Sequence, residues 1–342
     1  MDHRDSKSAD RPRRQNPSNL ESAPGSDSPA KIAILLMTYG TPDSLDELEA
    51  YLLDIRGGRP TPPALVEEIR RRYALIGGRS PLSDITRAQA RALESRLNLE
   101  VGQTAYRVYV GMRHWRPYIR EAITQIANDG FQKVVAIVLA PHFSHLSVGA
   151  YFQKVREACE GLEPRLDVAY VESYHLNPEL LRTIATNLRT ALARFSPAEP
   201  DNVQVVFTAH SLPAVILERN DPYDRQLRET AQTLAERLGL TPSRWQFCYQ
   251  SAGASAVPWL GPQLKDVVVE LATAGQRQIL VAPIGFVADH VEILYDVDVE
   301  ARGLAEHAGA HLERIESLNA SAGFIETLAD VTLSAVRAAS WP

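Results

Sequence analysis

Two sets of residues in this chain have side chains suited to moving protons or holding a cation. The first is His210, which closes the largely apolar run VQVVFTA (203–209) and is followed by Ser-Leu-Pro. An imidazole with an ordinary pKa of about 6.5 is mostly neutral near pH 7, so it can accept a proton or bind a metal. It can equally do no more than cap the turn that follows. The second is VADHVEILYDVDVE (287–300), with acids at Asp289, Glu292, Asp296, Asp298 and Glu300 beside His290. If 289–300 is helical, Asp289, Glu292, Asp296 and Glu300 form one stripe at steps of 3, 4 and 4. No Lys or Arg lies between Arg277 and Arg302 to offset those like charges. A solvated acidic face is the plain reading of such a stripe. Its start directly after the strand-end loop PIGFVADH, where ligands sit, adds weight to cation handling without displacing that reading, and a lone acidic stripe is weak evidence for a metal.

Other candidates are weaker. His142 and His145 flank Phe143 in APHFSH, but no Cys or acid lies close in sequence, so ordinary loop hydrogen bonds are expected. Arg56, Arg59, Arg70, Arg71 and Arg72 read either as solvated helix charge or as a clamp on a carboxylate-bearing ligand. Each charge-assisted hydrogen bond in such a clamp adds about 1.5–3 kcal/mol. The two cysteines, Cys159 and Cys248, cannot make a four-thiolate cluster within one chain. Both sit in apolar periodic segments and read as buried structural thiols.

These groups must be positioned by the elements around them. Nearly continuous aliphatic runs at 32–37, 106–110, 133–139, 167–171, 203–208, 245–249 and 278–283 suit parallel strands covered on both faces. Helical patterns fall near 44–55, 63–75, 84–98, 117–128, 149–160, 178–194, 224–238, 262–274 and 320–339. This alternation implies a doubly wound α/β architecture, in which ligands bind outside the carboxyl ends of the strands. The chain also repeats itself weakly. ILLMTYGTP (34–42) resembles VVFTAHSLP (205–213), with Tyr39 opposite His210, and VLAPHFSHLSV (138–148) resembles VAPIGFVADHV (281–291).

Two similar Rossmann-like halves facing across a cleft are therefore expected. The first spans 30–160 with a helical insertion at about 50–82, the second spans 161–318, and a C-terminal helix at 319–342 packs back. Residues 1–29 are polar, without an apolar core for a signal peptide, and read as a disordered tail. The net charge of −6 argues against a general nucleic-acid binder. No GxGxxG or GxxxxGK[ST] motif supplies a phosphate cradle, which disfavours a nicotinamide oxidoreductase. No apolar run approaches the about 20 residues that cross a bilayer. A cytoplasmic protein is expected.

Taken together, the strand-end loops resemble the ferrochelatase family, the enzymes that insert ferrous iron into a porphyrin. The residues carrying the resemblance are MTYGTP (37–42), DIRGGRP (54–60), RRYALIGGRSPL (71–82), YVGMRHWRPYI (109–119), VLAPHFSHLSVGAYF (138–152), FTAHSLP (207–213), DPYDRQL (221–227), CYQSAGASAVPWLGP (248–262) and PIGFVADHVEILYDVDVE (283–300). The resemblance implies a chelatase-like fold of two Rossmann-like halves. It implies that His210 is the active-site histidine and Glu292 its partner, both meeting Fe²⁺ at the porphyrin centre. Tyr39 matches a tyrosine contacting the porphyrin iron in forms that use coproporphyrin. Arg56, Arg72, Tyr73, Ser80, His114 and Tyr151 match residues lining the tetrapyrrole pocket. Asp296 and Glu300 match an acidic line leading outward, an outer cation site where a stimulatory divalent cation would sit.

The resemblance further implies that iron is a substrate, that no cofactor is required, and that upstream and downstream haem-pathway enzymes are partners. No nucleic acid and at most peripheral membrane contact are expected. There are departures from the family pattern. The region after Cys248 lacks the cysteine cluster that holds an iron–sulfur centre in some relatives, and Gly57 stands where some have a second arginine. Tyr39 favours coproporphyrin III as substrate, with protoporphyrin IX as the alternative. A chelatase for another tetrapyrrole or metal, or a non-catalytic haem or porphyrin carrier, is the remaining alternative.

Overall fold

The computed structural model describes residues 31–101, 105–195, 202–253 and 257–341. The expected tail at 1–29 lies outside the described residues. Among the described residues, eight strands make two parallel sheets. The first joins β1 (Ile32–Thr38), β2 (Tyr106–Met112), β3 (Lys133–Val138) and β4 (Asp167–Val171) in the order β2-β1-β3-β4. The second joins β5 (Val203–His210), β6 (Trp245–Gln250), β7 (Gln278–Pro283) and β8 (His311–Arg314) in the order β6-β5-β7-β8. The matching orders make the halves equivalent, with β1 corresponding to β5 and β3 to β7. In each half the chain leaves the first strand toward one neighbour and returns on the other side. The crevice at that reversal is where such sheets bind ligands.

The central strands form because their residues are mostly β-branched or apolar, and helices cover both faces. All seven residues of β1 are buried. Ile32, Ile34 and Leu36 share one continuous core with Val205 and Phe207 of β5, reached through α3 (Leu82–Val101), α6 (Pro178–Leu192), α7 (Tyr223–Leu238) and α11 (Ala322–Ala338). The opposite face of the first sheet is covered by α4 (Ile119–Asn128) and α5 (Val148–Cys159). That of the second is covered by α8 (Leu264–Thr273) and by Val297, Ala301 and Ala305. Asn177 caps α6 by accepting from the backbone N–H groups of Glu179 and Leu180, with Pro178 at the first helical position. Helix α11 packs against α3 and α6.

Three expectations are corrected. A boundary at 160 falls too early, because β4 (Asp167–Val171) pairs with β3 and completes the first sheet. The sequence DVAYV is strand-like in either sheet, so its partner is set by tertiary packing and not by pattern. Strand β8 is not visible as an apolar run. It is a four-residue edge strand, HLER, in which only Leu312 is fully buried. Finally, 289–300 is not one α-helix. It is α9 (Val291–Leu294), a π-helical turn (Asp296–Ala301), and then α10 (Arg302–His307). The insertion contains α1 (Leu48–Ile55) and α2 (Pro63–Leu75), whose own small core of Leu48, Tyr51, Leu52, Val66 and Tyr73 also packs against Val291.

Candidate active site

His210 ends β5, and the loop after β7 leads to Glu292 on α9, so the two sit at the reversal point of the second sheet. His210 Nε2 lies 3.4 Å from Glu292 Oε1, with the side chains 30% and 35% exposed. The Nδ1 of His210 makes a short hydrogen bond to the Ser211 carbonyl. That nitrogen must therefore carry the hydrogen, leaving Nε2 as the lone-pair nitrogen in the neutral ring. Tyr223 Oη donates to the His210 carbonyl at 3.0 Å, and Gln250 Nε2 to the Glu292 carbonyl at 2.8 Å. Burial alone would lower the His210 pKa, but the adjacent Glu292 carboxylate outweighs it and holds the imidazole above its ordinary value. Burial likewise opposes ionisation of Glu292, and the His210 and His290 rings overcome it, so its carboxyl lies well below the usual range.

His290, to which the sequence reading assigned no role, is brought into this group. Its Nδ1 donates to the Ala288 carbonyl at 2.9 Å, which turns Nε2 to within 3.5 Å of Glu292 Oε2. The carboxylate is thus flanked by two imidazoles. The only hint in the sequence was the His-x-Glu spacing, which is too common to carry weight.

The loops make room for these groups only because a glycine stands at 285. A Cβ there would come within 2.5 Å of Ala209 Cβ and 3.0 Å of Ala209 Cα, directly beside His210. We expect Gly285→Ala to push the end of β5 aside. Thermal unfolding should show a loss of about 2 kcal/mol, in the range of overpacked cores, with a matching loss of turnover. A variant as stable as wild type would contradict this contact.

The first half supplies the facing wall. Tyr39 directly follows β1 and is 39% exposed. Its ring is tilted 50° against that of His114 at 4.7 Å, and burial and the charge of Glu292 push its phenol up to about 12. The adjoining Gly40 has φ +97°, and a Cβ there would meet Trp115 at 2.8 Å, which fixes the turn that presents Tyr39. His114 Nδ1 pairs with Asp54 Oδ1 of α1 at 2.7 Å, and burial holds its pKa down. Tyr151, on α5, is buried beneath the Arg113 guanidinium at 5.5 Å and is pushed up by burial while feeling the Glu292 charge.

The remaining predicted residues are dispersed. Tyr73 is 2% exposed, bonded to Thr41 Oγ1 at 3.1 Å and largely part of the insertion core; burial pushes its phenol up to about 12. Ser80 is buried, and its Oγ accepts from the Leu82 N–H at 3.3 Å, a role at the start of α3. Arg56 closes α1, and its carbonyl accepts from Arg59 Nε at 3.1 Å. Arg72 Nη1 lies 3.7 Å from Asp296 Oδ1, its guanidinium stacks over Tyr295 at 5.0 Å, and Nη2 bonds Glu68 at 2.5 Å.

The acidic stripe is therefore divided among different tasks. Asp296 Oδ2 receives a short hydrogen bond from Ser251 while Oδ1 faces Arg72, and burial raises its carboxyl to about 6. Glu300 is exposed. Asp289 and Asp298 are both engaged by Arg314, the offsetting cation that sequence proximity could not reveal. Among the described residues no three or more His, Cys, Asp or Glu side chains are grouped to hold a metal ion by themselves. His142 is buried, bonded through Nε2 to Thr230 Oγ1 at 2.9 Å, with its pKa lowered by burial to about 3. The loop that carries it is tied to Asp221 through Ser144 Oγ and the His145 N–H. Both thiols are free. No helix of the described residues is long and apolar enough to cross a membrane.

Known proteins similar to this chain in sequence fall in one family. The family model described as Ferrochelatase matches residues 31–336. A ferrochelatase of Deinococcus radiodurans is 43% identical over 300 residues, covering 88% of this chain and 94% of that protein. A coproporphyrin III ferrochelatase of Oceanobacillus iheyensis is 37% identical over 304 residues, covering 89% of this chain and 96% of that protein. Among solved structures, SirB from Bacillus subtilis with Fe³⁺ superposes with a TM-score of 0.56 at 13% identity, covering 91% of this chain and 98% of that one. The sirohydrochlorin chelatase of Bacillus subtilis subspecies spizizenii in complex with cobalt gives 0.53 at 11% identity, covering 90% and 96%. At these identities the structures speak to the shared fold of two α/β halves.

Proposed function

We propose that this chain, which belongs to the ferrochelatase family, inserts ferrous iron into coproporphyrin III. Ferrochelatases are lyases of haem biosynthesis that insert a metal into a porphyrin, so a porphyrin and iron are its substrates. The observation that carries the site assignment is the His210–Glu292 pair, 3.4 Å apart at the ends of the second sheet and partly exposed.

Insertion exchanges two pyrrole N–H protons for one Fe²⁺. With Nδ1 committed to the Ser211 carbonyl, His210 Nε2 is the free lone pair and takes one proton. Once protonated, Nε2–H faces the Glu292 carboxylate, so proton capture creates an attractive contact where two lone pairs faced each other. The second carboxylate oxygen faces His290 Nε2, which offers an exit for the other proton. Glu292 also attracts Fe²⁺. Imidazole and carboxylate hold ferrous iron weakly enough to hand it on. Tyr39, His114 and Tyr151 supply the facing wall against which the macrocycle would be held and bent.

The choice of porphyrin rests on Tyr39 and its surroundings. Coproporphyrin III carries four propionates where protoporphyrin IX carries two propionates and two vinyl groups. A half-exposed phenol that feels the Arg113 charge suits the more anionic ring, and relatives named coproporphyrin III ferrochelatase support the reading. Anaerobic iron insertion with each porphyrin tests it. We expect kcat/KM for coproporphyrin III to exceed that for protoporphyrin IX by about tenfold or more, roughly one charge-assisted bond. Faster turnover of protoporphyrin IX would reverse the assignment.

A further inference from the structure

We propose that Arg314 is a positioning residue that aims the Glu292 carboxylate by clamping the chain on both sides of it; this rests on the reading of Glu292 given above. Arg314 ends β8, opposite Val281 in register. Its side chain is only 12% exposed, and all three of its nitrogens are engaged. Nε and Nη2 donate to the two oxygens of Asp298, each at 2.9 Å. Nη1 donates to the Ile315 carbonyl at 3.0 Å and to Ser317 Oγ at 3.1 Å. Nη2 also lies 3.3 Å from Asp289 Oδ1. Asp289 is held further by Ser317 Oγ at 2.6 Å and Asn319 Nδ2 at 2.9 Å, and its N–H donates to Asn319 Oδ1 at 2.9 Å.

One planar guanidinium thus fixes Asp289, before Glu292, and Asp298, after it. The segment between them needs such support. Glu292 sits on a helix of four residues, too short to be stable alone. The turn that follows is π-helical, with the N–H groups of Val299 and Glu300 both directed at the Tyr295 carbonyl. Buried Ile293 and Val297 anchor the underside and Gln250 Nε2 donates to the Glu292 carbonyl at 2.8 Å, but apolar packing and a single hydrogen bond do not by themselves fix one orientation. The bidentate Arg314–Asp298 contact does, because a fork meeting a carboxylate tolerates one orientation. Arg314 also neutralises carboxylates that would otherwise flank Glu292 with like charge.

The test uses the full chain with anaerobic iron insertion, porphyrin binding by fluorescence quenching, and thermal unfolding. Arg314→Met is expected to lower kcat about 10–100-fold, the range of lost supporting contacts, while porphyrin KM and binding change by less than about threefold. Arg314→Lys keeps the charge without the fork and should recover only part of kcat. In a Glu292→Gln background, Arg314→Met should lower kcat by no more than about twofold further, because a residue that acts through another adds nothing once that other is gone. A double variant whose loss equals the product of the single losses overturns the proposal. So does a parallel loss of kcat and porphyrin binding. If Arg314→Met does not fold, Arg314→Lys carries the same comparison. If Glu292→Gln loses turnover but the Arg314 variants keep it, the site reading stands and this proposal falls. If Glu292→Gln keeps full turnover, both fall.

Discussion

Replacing His210 with Ala is expected to lower kcat for iron insertion by about 10³-fold, within the range for loss of a positioned general base, with porphyrin binding nearly unchanged. The reason is positional. Nδ1 is locked by the Ser211 carbonyl and the backbone by Tyr223, so Nε2 is the one nitrogen of this ring that can take a pyrrole proton. Binding should survive because, in the proposed reading, Tyr39, His114 and Tyr151 of the other half would form the wall for the porphyrin. Stability should change little, by about 1 kcal/mol. Both members of the His210–Glu292 pair are about a third exposed, which keeps the contact well short of a buried ion pair. Single-turnover absorbance and fluorescence quenching on the same preparation separate the two effects. A carrier protein has no turnover to lose in this substitution, so a wild-type protein that binds porphyrin without metalating it would point to that alternative. A variant keeping more than about a tenth of wild-type turnover would remove His210 from the proposed chemistry.

The scaffold was largely legible because the central strands β1, β3, β5 and β7 are buried on both faces, and burial writes itself into sequence as an unbroken aliphatic run. The repeat in the chain was also legible, since the loops that close β1 and β5, and β3 and β7, keep a common pattern of small residues and proline. What could not be read was anything decided by partners distant in sequence. Strand β4 looks the same whichever sheet receives it, and β8 is hidden because an edge strand of four residues has little to bury.

The same limit governed the site. An acidic stripe without a nearby basic residue looked uncompensated, yet Asp289 and Asp298 converge on Arg314, beyond the end of the run. Helical spacing grouped Glu292 with Asp296 and Glu300, but the π turn that follows Tyr295 changes which side chains share a face. Asp54 and Ser251, which hold His114 and Asp296, belong to other elements and gave no local signal. Residue type marks which groups can do chemistry, and tertiary contacts decide which of them are free to do it. By that standard Glu292 stands apart from the other acids of its stretch. Its contacts are two imidazoles, where Asp289, Asp296 and Asp298 each meet a guanidinium.

That distinction predicts a specific change in pH dependence for Glu292→Gln. In wild type the carboxylate holds the His210 pKa above 6.5, and the base form needed for proton capture appears as pH rises through that elevated value. With a neutral amide at 292 the Ser211 carbonyl and the Asp296 charge still favour the protonated ring, but burial, the largest cause, no longer meets the carboxylate that outweighed it, so the pKa of the ring falls. The acid limb of the kcat/KM profile should therefore move to lower pH, even as the maximal rate falls by about 10²-fold and the KM for Fe²⁺ rises. Stability should follow the same pair with its own sign. Glu292, depressed in the folded state, contributes above its ordinary value of 4.5, and its contribution is lost as pH falls through the folded value. His210, elevated in the folded state, contributes fully below 6.5, and its contribution is lost as pH rises through its folded value. The stabilisation of wild type over Glu292→Gln should therefore be greatest between pH 4.5 and 6.5 and shrink on either side. Unfolding midpoints across that range and the pH–rate profile can be taken on one pair of proteins. An acid limb that stays in place, or moves upward, would mean that Glu292 does not set the basicity of His210.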